Sequence, residues 1–417
     1  MTAALAVFLA LLGTPLFAIL AGLALASFMA NGTDLTAVFI EMYRLATTPA
    51  LTAVPLFALG GFALAESGAA RRLVRISETA LGWLPGGLAI MALAICALLT
   101  AFTGASGMTI VAVGGLLYPA LRQGRYPESF TLGLLTTSGS LGLLFPPSLA
   151  LILYAIVSGT PVDELFMAGI LPGLLLLGSL ATYAYAVGRR RVPAADRPSW
   201  RDAWQALRAG VWELLLPVVV IGGVYGGFIA VSEAASLSAL YILVVEMVVH
   251  RELRLRQLPG IVREAMLLVG AIIVILAAAL AYTSFLVDAE VPNRLLDSIG
   301  QRVHDRFTFL VLLNLFLLVV GCAIDMFSAL IVIVPIILPI ASAYGVHPVH
   351  LGIIFLTNLE IGYSTPPVGL NLFIASARFG RPVLELYRAS LPFLGILLVA
   401  LLVITYVPEL SLCLISH

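Results

Sequence analysis

The sequence contains few charged residues. They make up 11% of its 417 residues, against about 25% in an ordinary soluble domain. None of the 22 cations is Lys, so Arg alone balances the 22 acids and the net charge is zero. With 61% hydrophobic residues and a mean hydropathy of +1.10, a soluble globule is excluded because it could not cover so much apolar surface. The zero net charge gives no indication of a nucleic-acid partner.

The sequence also lacks the residues of several kinds of chemistry. Its three cysteines, Cys96, Cys322 and Cys413, stand alone in apolar surroundings and are expected to be inert thiols. It contains no His-Glu-x-x-His, Walker A or Cys-x-x-Cys pattern, so zinc chemistry and ATP hydrolysis have no visible residues. We therefore expect no enzyme activity and no cofactor, with energy drawn from an ion gradient or from the substrate's own gradient.

Long apolar runs dominate what is present. A helix needs roughly 20 apolar residues to cross a bilayer, so the chain has room for on the order of a dozen spans. The first run, residues 3–29, follows no basic segment and has no clear cleavage site, which predicts a span rather than a removed signal peptide. The sequence thus predicts an all-α polytopic membrane protein whose surroundings are the lipid bilayer.

Several apolar runs are interrupted by Gly, Pro and hydroxyl residues: 84–121, 129–160, 308–343 and 349–377. The second run contains Pro146-Pro147 and the fourth contains Pro366-Pro367, and adjacent prolines break a helix. Broken helices persist at membrane depth only where protein or a cavity satisfies the freed backbone groups. These interruptions are therefore candidate ion or substrate sites.

The interruptions repeat along the chain. The two Pro-Pro pairs lie 220 residues apart, and the same shift carries run 84–121 onto run 308–343. This order predicts two inverted structural repeats, residues 1–205 and 206–417. Each half is predicted to contain scaffold spans, one re-entrant helical hairpin and one Pro-Pro-broken helix. Paired broken helices in internal repeats are typical of secondary transporters.

Polar residues cluster beside these breaks. The first half has the hydroxyls of Thr103, Ser106, Thr109, Ser138 and Ser140, and the second has Ser364 and Thr365 after Gly362. Hydroxyls and unwound carbonyls suit Na⁺, although small polar residues also serve helix packing. Among the acids near membrane depth, Asp325 and Glu360 are expected to tune a cation site or cap a broken helix. Ion-paired or interfacial positions are expected for Glu213, Glu233 and Glu246.

Two further sequence patterns concern the membrane surface and a serine nucleophile. Trp200, Trp204, Leu207 and Val211 recur at helical spacing, which predicts a helix on the membrane surface, and the segment Arg251–Met266 has a similar pattern. Ser106 between two glycines resembles the nucleophile of intramembrane serine proteases. That chemistry needs a histidine base, and none of the five His lies in the middle of an apolar run.

Longer motifs extend over essentially the whole chain: Pro55-Leu-Phe57, Ser67-Gly68, Leu84-Pro-Gly-Gly87, Gly142-Leu-Leu-Phe-Pro-Pro-Ser148, Asp163-Glu-Leu-Phe-Met-Ala-Gly-Ile-Leu-Pro-Gly173, His347-Pro-Val-His-Leu-Gly-Ile-Ile354 and Gly362-Tyr-Ser-Thr-Pro-Pro-Val-Gly-Leu-Asn-Leu-Phe373. Together they resemble one family, the large membrane subunit of tripartite ATP-independent periplasmic (TRAP) transporters. The resemblance implies a sodium-driven importer of organic acids in the bacterial inner membrane. It also implies an elevator mechanism, in which a transport region with two re-entrant hairpins moves against a fixed scaffold.

The resemblance also implies partners and site residues. The partners are a separate small four-span membrane subunit (Q-type) and a periplasmic substrate-binding protein (P-type). One implied sodium site comprises Thr103 or Ser106 with Gly142, Phe145 and Pro146, and the other comprises Gly321, Gly362, Thr365 and Val368. Residues expected to contact substrate or tune the sites are Ser140, Ser148, Asp325, Glu360 and Asn371. The first hairpin tip lacks the usual serine-rich pattern, so the choice between Thr103 and Ser106 stays open.

One transport alternative remains open from the sequence. A self-sufficient, ion-coupled anion symporter or exchanger would share the broken hairpins and the hydroxyl-proline motifs. Transport by the chain alone would favour that alternative, whereas dependence on two partners would favour the TRAP importer.

Overall fold

The computed structural model describes residues 13–415, except residues 31, 33, 35, 82 and 192–199. Its regular secondary structure is helical throughout the described residues. The helices before the 192–199 gap are α1 (Leu16–Ala30), α2 (Thr36–Ala46), α3 (Pro49–Glu66), α4 (Ala69–Leu81), α5 (Gly87–Thr103), α6 (Ser106–Gln123), α7 (Glu128–Ser138), α8 (Leu149–Ser158) and α9 (Val162–Arg191). A 3₁₀ turn, Leu141–Leu144, lies between α7 and α8.

The helices after the gap are α10 (Trp200–Tyr225), α11 (Val231–Val244), α12 (Leu258–Asp288), α13 (Val291–Gly300), α14 (Arg306–Ala323), α15 (Met326–Ala343), α16 (Pro348–Gly362), α17 (Leu370–Phe379), α18 (Val383–Tyr406) and α19 (Glu409–Leu412). A π-helical turn, Val245–Val249, extends α11. In order and length, α14 to α18 correspond to α5 to α9. The inverted relation of the two halves stays a prediction.

Seven helical segments of the described chain are long and apolar enough to cross a membrane. The number rises to nine if each of two bent pairs counts as one span, namely α3 with α4, bent by 68°, and α7 with α8, bent by 46°. The prediction of a polytopic all-α membrane protein is therefore confirmed. The number is below a dozen because the interrupted runs divide into shorter helices. Of the predicted first span, residues 3–12 lie outside the described residues.

Paired helices joined by a short turn are present at both places where the sequence predicts hairpins, and their re-entrant placement in the membrane stays a prediction. In the first, α5 ends at Thr103 and α6 begins at Ser106, with Gly104 at a φ of 64°. A side chain at Gly104 would be strained in this left-handed conformation and would lie about 2.7 Å from Leu149. In the second hairpin, Asp325 accepts the N–H groups of Phe327 and Ser328 at 3.0 and 3.2 Å and so begins α15.

The predicted broken helices are present as well. The 3₁₀ turn and the cis Pro146-Pro147 bond separate α7 from α8, and the cis Pro366-Pro367 bond lies between α16 and α17. Every residue from Val349 to Gly362 in α16 is buried. A helix that is buried on all sides lies inside a bundle, so the second break starts in the centre of the protein.

The surface segments differ partly from expectation. α10 has a non-helical residue at Gly210, so the segment from Trp200 to Gly210 is a separate helical piece, as predicted, with Trp204 56% exposed. The prediction for Arg251–Met266 is wrong. Its first residues form turns, and Leu258 starts the 31-residue helix α12, because Pro259 suits a helix N-terminus and the apolar pattern then continues. The strongly amphipathic short helices are α4 and α13.

Candidate functional site

The tip of the first hairpin packs against the first helix break. Thr100 Oγ1 lies 2.7 Å from the Gly139 carbonyl oxygen and 2.7 Å from Thr109 Oγ1. Gly142 lies so close to α5 that a Cβ there would be 2.5 Å from the Ala101 nitrogen. The structure therefore brings Gly142 beside the helix end that carries Thr103.

The other residues implied for the first site differ in what they can offer. The ring of Phe145 packs against Gly173, so a contribution of Phe145 to a cation site would come from its carbonyl. Pro146 is buried in the Pro-Pro link. Thr103 is buried, and its Oγ1 accepts the Ala105 N–H at 3.4 Å. Ser106 is also buried, and its hydroxyl points to the second half of the chain.

At the second break, Gly321 and Gly362 pack backbone against backbone. A Cβ on Gly362 would lie 2.6 Å from the Gly321 Cα, and a Cβ on Gly321 would lie 3.2 Å from the Gly362 Cα. Glycine is required at this contact because any side chain would push the end of α14 away from α16. The Gly369 N–H donates to the Cys322 carbonyl at 3.1 Å. The end of α14 is thus tied to the beginning of α17.

Thr365 and Val368 lie in the connection that leaves α16. The Thr365 hydroxyl donates to the Ile361 carbonyl at 2.8 Å, so its proton is engaged while its oxygen keeps free lone pairs. Val368 is 45% exposed. Its side chain is apolar, so its backbone carbonyl is the only oxygen that it could offer to a cation. Three of the four residues implied for the second site, Gly321, Gly362 and Thr365, thus lie within one turn of the same helix end or against it.

Two hydrogen bonds join the first half of the chain to the region of the second break. Ser106 Oγ donates to Asn371 Oδ1 at 2.8 Å, and Ser140 Oγ donates to the Glu360 carbonyl at 3.2 Å. All four residues are buried. The bond partner of Ser106 is an amide rather than a histidine, so the geometry gives no support to a serine-protease interpretation.

Both hairpin tips line one cavity of about 580 Å³. Its wall includes Gly104–Met108 from the first hairpin and Asp325–Phe327 from the second, together with Tyr363, Leu370 and Ile374. This volume falls within the range of small-molecule sites. The cavity is therefore the place where a small solute could touch both hairpin tips and the residues that flank the second break.

Helix N-termini supply part of the electrostatics of this cavity. The N-cap residues of α6 and α17 are Ala105 and Gly369, and neither gives a side-chain cap. At the start of α17, the Asn371 N–H donates to the Tyr363 carbonyl at 3.0 Å. Uncapped N–H groups at a helix N-terminus favour an anion. At the start of α15, Asp325 caps the helix and the Tyr363 hydroxyl accepts the Met326 N–H. Glu66 and Glu264 also line the cavity, and its described lining contains no Arg or His.

The remaining predicted residues have distinct roles. Asp325 caps α15, which confirms one of its two expected roles. Ser148 caps α8 by accepting the Leu151 N–H at 3.4 Å. Glu360 is buried, and neither of its carboxyl oxygens has a hydrogen-bond partner in the described part of the chain. An uncompensated buried carboxylate is costly, so this group is neutral or meets a cation.

A charge cluster away from the cavity was not predicted as a unit. Arg72 of α4 contacts Glu213 at 2.6 Å, Glu246 at 2.5 Å and Glu252 at 2.5 Å. Glu252 also accepts the Gly68 N–H at 2.7 Å. The π-helical turn supplies Glu246, and α10 supplies Glu213. The expected ion pairing of Glu213 and Glu246 is confirmed, and the cluster fixes α4 to the helices of the second half.

The cluster also sets the charge state of its outermost acid. Partial burial favours the neutral form of Glu252, but the hydrogen bond and the positive charge of Arg72 outweigh it and hold the pKa of this carboxyl below its usual value. Glu233, the third acid of that expectation, instead accepts the Ala230 N–H at 2.9 Å at the start of α11.

A buried polar network was also missed from the sequence. Asn358 Nδ2 donates to Asn314 Oδ1 at 2.7 Å, and Asn314 Nδ2 donates to Thr405 Oγ1 at 3.1 Å. His350 lies near the Thr405 carbonyl at 3.3 Å and near Ser411 Oγ at 3.2 Å. These contacts hold α14 and α18 against α16, the helix that ends at the second break.

Comparison with known proteins identifies the family. The family model described as "Tripartite ATP-independent periplasmic transporter, DctM component" matches residues 2–410. The C4-dicarboxylate TRAP transporter large permease protein DctM of Pseudomonas aeruginosa is 37% identical over 376 residues, covering 90% of this chain and 88% of the relative. The ectoine TRAP transporter large permease protein TeaC of Halomonas elongata is 33% identical over 409 residues, covering 97% and 96%.

Two further comparisons concern assembly and fold. The isethionate TRAP transporter permease protein DctMQ of Oleidesulfovibrio alaskensis is 34% identical, and the match covers 87% of this chain and 57% of that longer protein. Among solved structures, the YdaH transporter of Alcanivorax borkumensis superposes with a TM-score of 0.63 at 15% identity, covering 91% of this chain and 89% of that one. The structural match supports the fold alone. By its sequence, the chain belongs to the DctM family, the large permease components of TRAP transporters.

Proposed function

We propose that the chain is the transport subunit of a sodium-driven importer of organic acids that depends on a periplasmic binding protein. The observation that carries this proposal is the cavity between the two hairpin tips, whose wall includes Tyr363 and Leu370 on either side of the second Pro-Pro break. Each break offers unwound carbonyls and a hydroxyl, the ligands that suit a small hard cation. The chain works in the bacterial inner membrane.

The two sodium sites follow the two breaks. The first uses the Ser106 or Thr103 hydroxyl with carbonyls of Gly142, Phe145 and Pro146, and its support is the packing of Gly142 against the end of α5. The second uses Thr365 with carbonyls of Gly321, Gly362 and Val368, and its support is the Gly321–Gly362 contact. Because neither set contains a carboxylate, a bound Na⁺ adds a full positive charge beside the cavity.

The substrate class is a small organic acid. The uncapped starts of α6 and α17 and the two bound cations would attract an acidic group. The relatives are named for C4-dicarboxylates, isethionate and ectoine, so the family site accepts solutes of different structure. Ser140, Ser148, Glu360 and Asn371 are buried and would tune the cation sites or contact the substrate.

The elevator mechanism rests on the division of the helices. The hairpins and broken helices, α5 to α8 and α14 to α17, form the moving transport region. α3, α4, α10, α11 and α12 form the scaffold, and the Arg72 cluster holds α4 to α10 and the end of α11. A region that moves as one rigid body keeps its cation sites intact while the cavity opens first to one side of the membrane and then to the other.

Two partners complete the transporter. The outward faces of α10 and α11 carry exposed apolar side chains, such as Val218 (65%) and Leu240 (61%), which lipid or a small membrane subunit would cover. The DctMQ relative extends well beyond the length of this chain, as expected if it carries the small subunit in the same polypeptide. A periplasmic binding protein would deliver the substrate.

Reconstitution into liposomes tests the proposal. The assay compares this chain alone with the chain plus its small subunit, with and without binding protein, using succinate, isethionate and ectoine as test solutes. We expect uptake of at least one solute only with both partners and only with an inward Na⁺ gradient. Robust uptake by the chain alone would support the self-sufficient symporter. Uptake independent of Na⁺ would refute sodium coupling.

A further inference from the structure

Asn371 is the second residue of α17, and its side chain contacts a residue that is 265 positions away in sequence. Its Oδ1 accepts the Ser106 hydroxyl at 2.8 Å, and Ser106 is the first residue of α6. Asn371 is completely buried, and its Nδ2 has no hydrogen-bond partner among the described residues. The side chain thus connects the tip of the first hairpin to the helix that follows the second break.

The direction of the Ser106 bond matters for cation binding. A serine hydroxyl has one proton and two acceptor lone pairs. A cation needs the oxygen, so the proton must point elsewhere. Asn371 Oδ1 takes that proton, which leaves both lone pairs of Ser106 free. Thr103, the other candidate hydroxyl of this site, has no acceptor for its proton among the described residues, and its oxygen accepts the Ala105 N–H.

The other end of the amide, Nδ2, meets no acceptor in the part of the chain that the structure describes. A buried N–H without an acceptor costs about 1–3 kcal/mol, so an acceptor is expected in the loaded state. The neighbours of Asn371 on α17, Leu370 and Ile374, line the cavity, as does Ser106. An acidic group of the solute held near this wall would supply the acceptor after a small movement.

We propose that Asn371 is a positioning residue that orients the Ser106 oxygen toward Na⁺ and donates its free N–H to the acidic group of the substrate. This role rests on the proposed function. It would make sodium and substrate binding depend on each other through one side chain, because each ligand fixes one end of the same amide. Such coupling is reciprocal, so each ligand should raise the affinity for the other by the same factor.

Two nearly isosteric variants separate the two ends of the amide. Asn371→Asp keeps the acceptor for Ser106 but loses the N–H donor and adds negative charge. Asn371→Leu loses both. Sodium binding is measured on the purified complex of large and small subunits as the rise in unfolding temperature on titration with NaCl, with choline chloride keeping the ionic strength constant. Thr357→Val is the control, because Thr357 is equally buried but bonds only to Ile353 in its own helix.

We expect Asn371→Leu to raise the half-saturating Na⁺ concentration about five- to thirtyfold, the scale of one lost hydrogen-bonding group. Asn371→Asp and Thr357→Val should stay within about twofold of wild type. With saturating substrate, chosen from succinate, isethionate and ectoine by the uptake assay, wild type should bind Na⁺ more tightly. Asn371→Asp should lose this enhancement.

A double-mutant cycle tests whether Asn371 acts through Ser106. In a Ser106→Ala background, Asn371→Leu should weaken Na⁺ binding by less than a further twofold, because the oxygen it orients is gone. Multiplicative effects of the two changes would refute the role, and so would equal losses in Asn371→Asp and Asn371→Leu. A sodium response that Asn371→Leu leaves intact would refute this role alone. Absence of any sodium response in wild type would refute the proposed function and this role with it.

Discussion

The hydroxyl of Thr365 offers the sharpest test of the second cation site. It donates to the Ile361 carbonyl at 2.8 Å, so the proton is already placed and the oxygen can accept a cation. Gly362 lies one turn earlier, in backbone contact with Gly321. Replacing Thr365 by Val keeps the shape of the side chain and removes the oxygen, whereas replacement by Ser keeps the oxygen and removes a methyl group.

The magnitude follows from the loss of one oxygen ligand. A lost hydrogen-bonding group costs about 1–2 kcal/mol, which corresponds to a roughly five- to thirtyfold weaker Na⁺ affinity. Thr365→Val and Thr365→Ala should both show this loss. Thr365→Ser should stay within about twofold of wild type. If Thr365 served only helix packing, the order would differ, because Val would preserve the packing and Ser would not.

The assay is solute uptake by the complete reconstituted transporter as a function of Na⁺ concentration. Thr357→Val is the matched control, because its hydroxyl makes the same kind of bond within α16, to Ile353 at 2.7 Å, away from the break. An unchanged Na⁺ dependence in Thr365→Val would remove this residue from the site. A loss in Thr365→Ser as large as in Thr365→Val would indicate packing instead.

Three further predictions concern packing, the charge cluster and the surface segment. Gly362→Ala should cost about 1–3 kcal/mol of stability by overpacking and abolish the Na⁺-dependent rise in unfolding temperature; a stable variant that still responds to Na⁺ would contradict the backbone contact. Arg72→Ala should cost about 3–5 kcal/mol because it leaves buried carboxylates uncompensated, whereas Ala at the exposed neighbour Arg71 should cost under about 0.5 kcal/mol; equal shifts in thermal unfolding would contradict the cluster. Spin labels should report lipid at Trp204 and water at Arg208, and water at both would show an ordinary loop.

Local chemistry explains why so much of the fold could be predicted. Gly104 imposes the first hairpin turn, and the Pro146-Pro147 and Pro366-Pro367 pairs break α7–α8 and α16–α17 in any environment. These signals act within a few residues, so the sequence reveals them directly. The prediction of a surface helix over Arg251–Met266 is wrong because the apolar positions from Leu258 onward are the first turns of α12, whose apolar pattern continues to Asp288.

Contacts between distant residues could not be predicted in the same way. Arg72 meets carboxylates that are 141 to 180 positions away, and Ser106 meets Asn371 at a separation of 265. Each residue alone reads as a connector charge or a small polar group. Only the packing of the two halves decides which acid faces Arg72 and which amide faces Ser106. The sequence signal of the cluster is the position of Glu213 and Glu246 within or beside apolar runs.

The number of sodium ions per solute is the most direct test of two cation sites, one at each helix break. It can be measured in proteoliposomes by setting known Na⁺ and solute gradients and finding the membrane potential at which net flux of isethionate, a singly charged acid, is zero. Two sites predict two Na⁺ per acid, with one net positive charge moved inward and faster uptake at an inside-negative potential. One Na⁺ per acid, with uptake insensitive to the potential, would contradict the two-site arrangement.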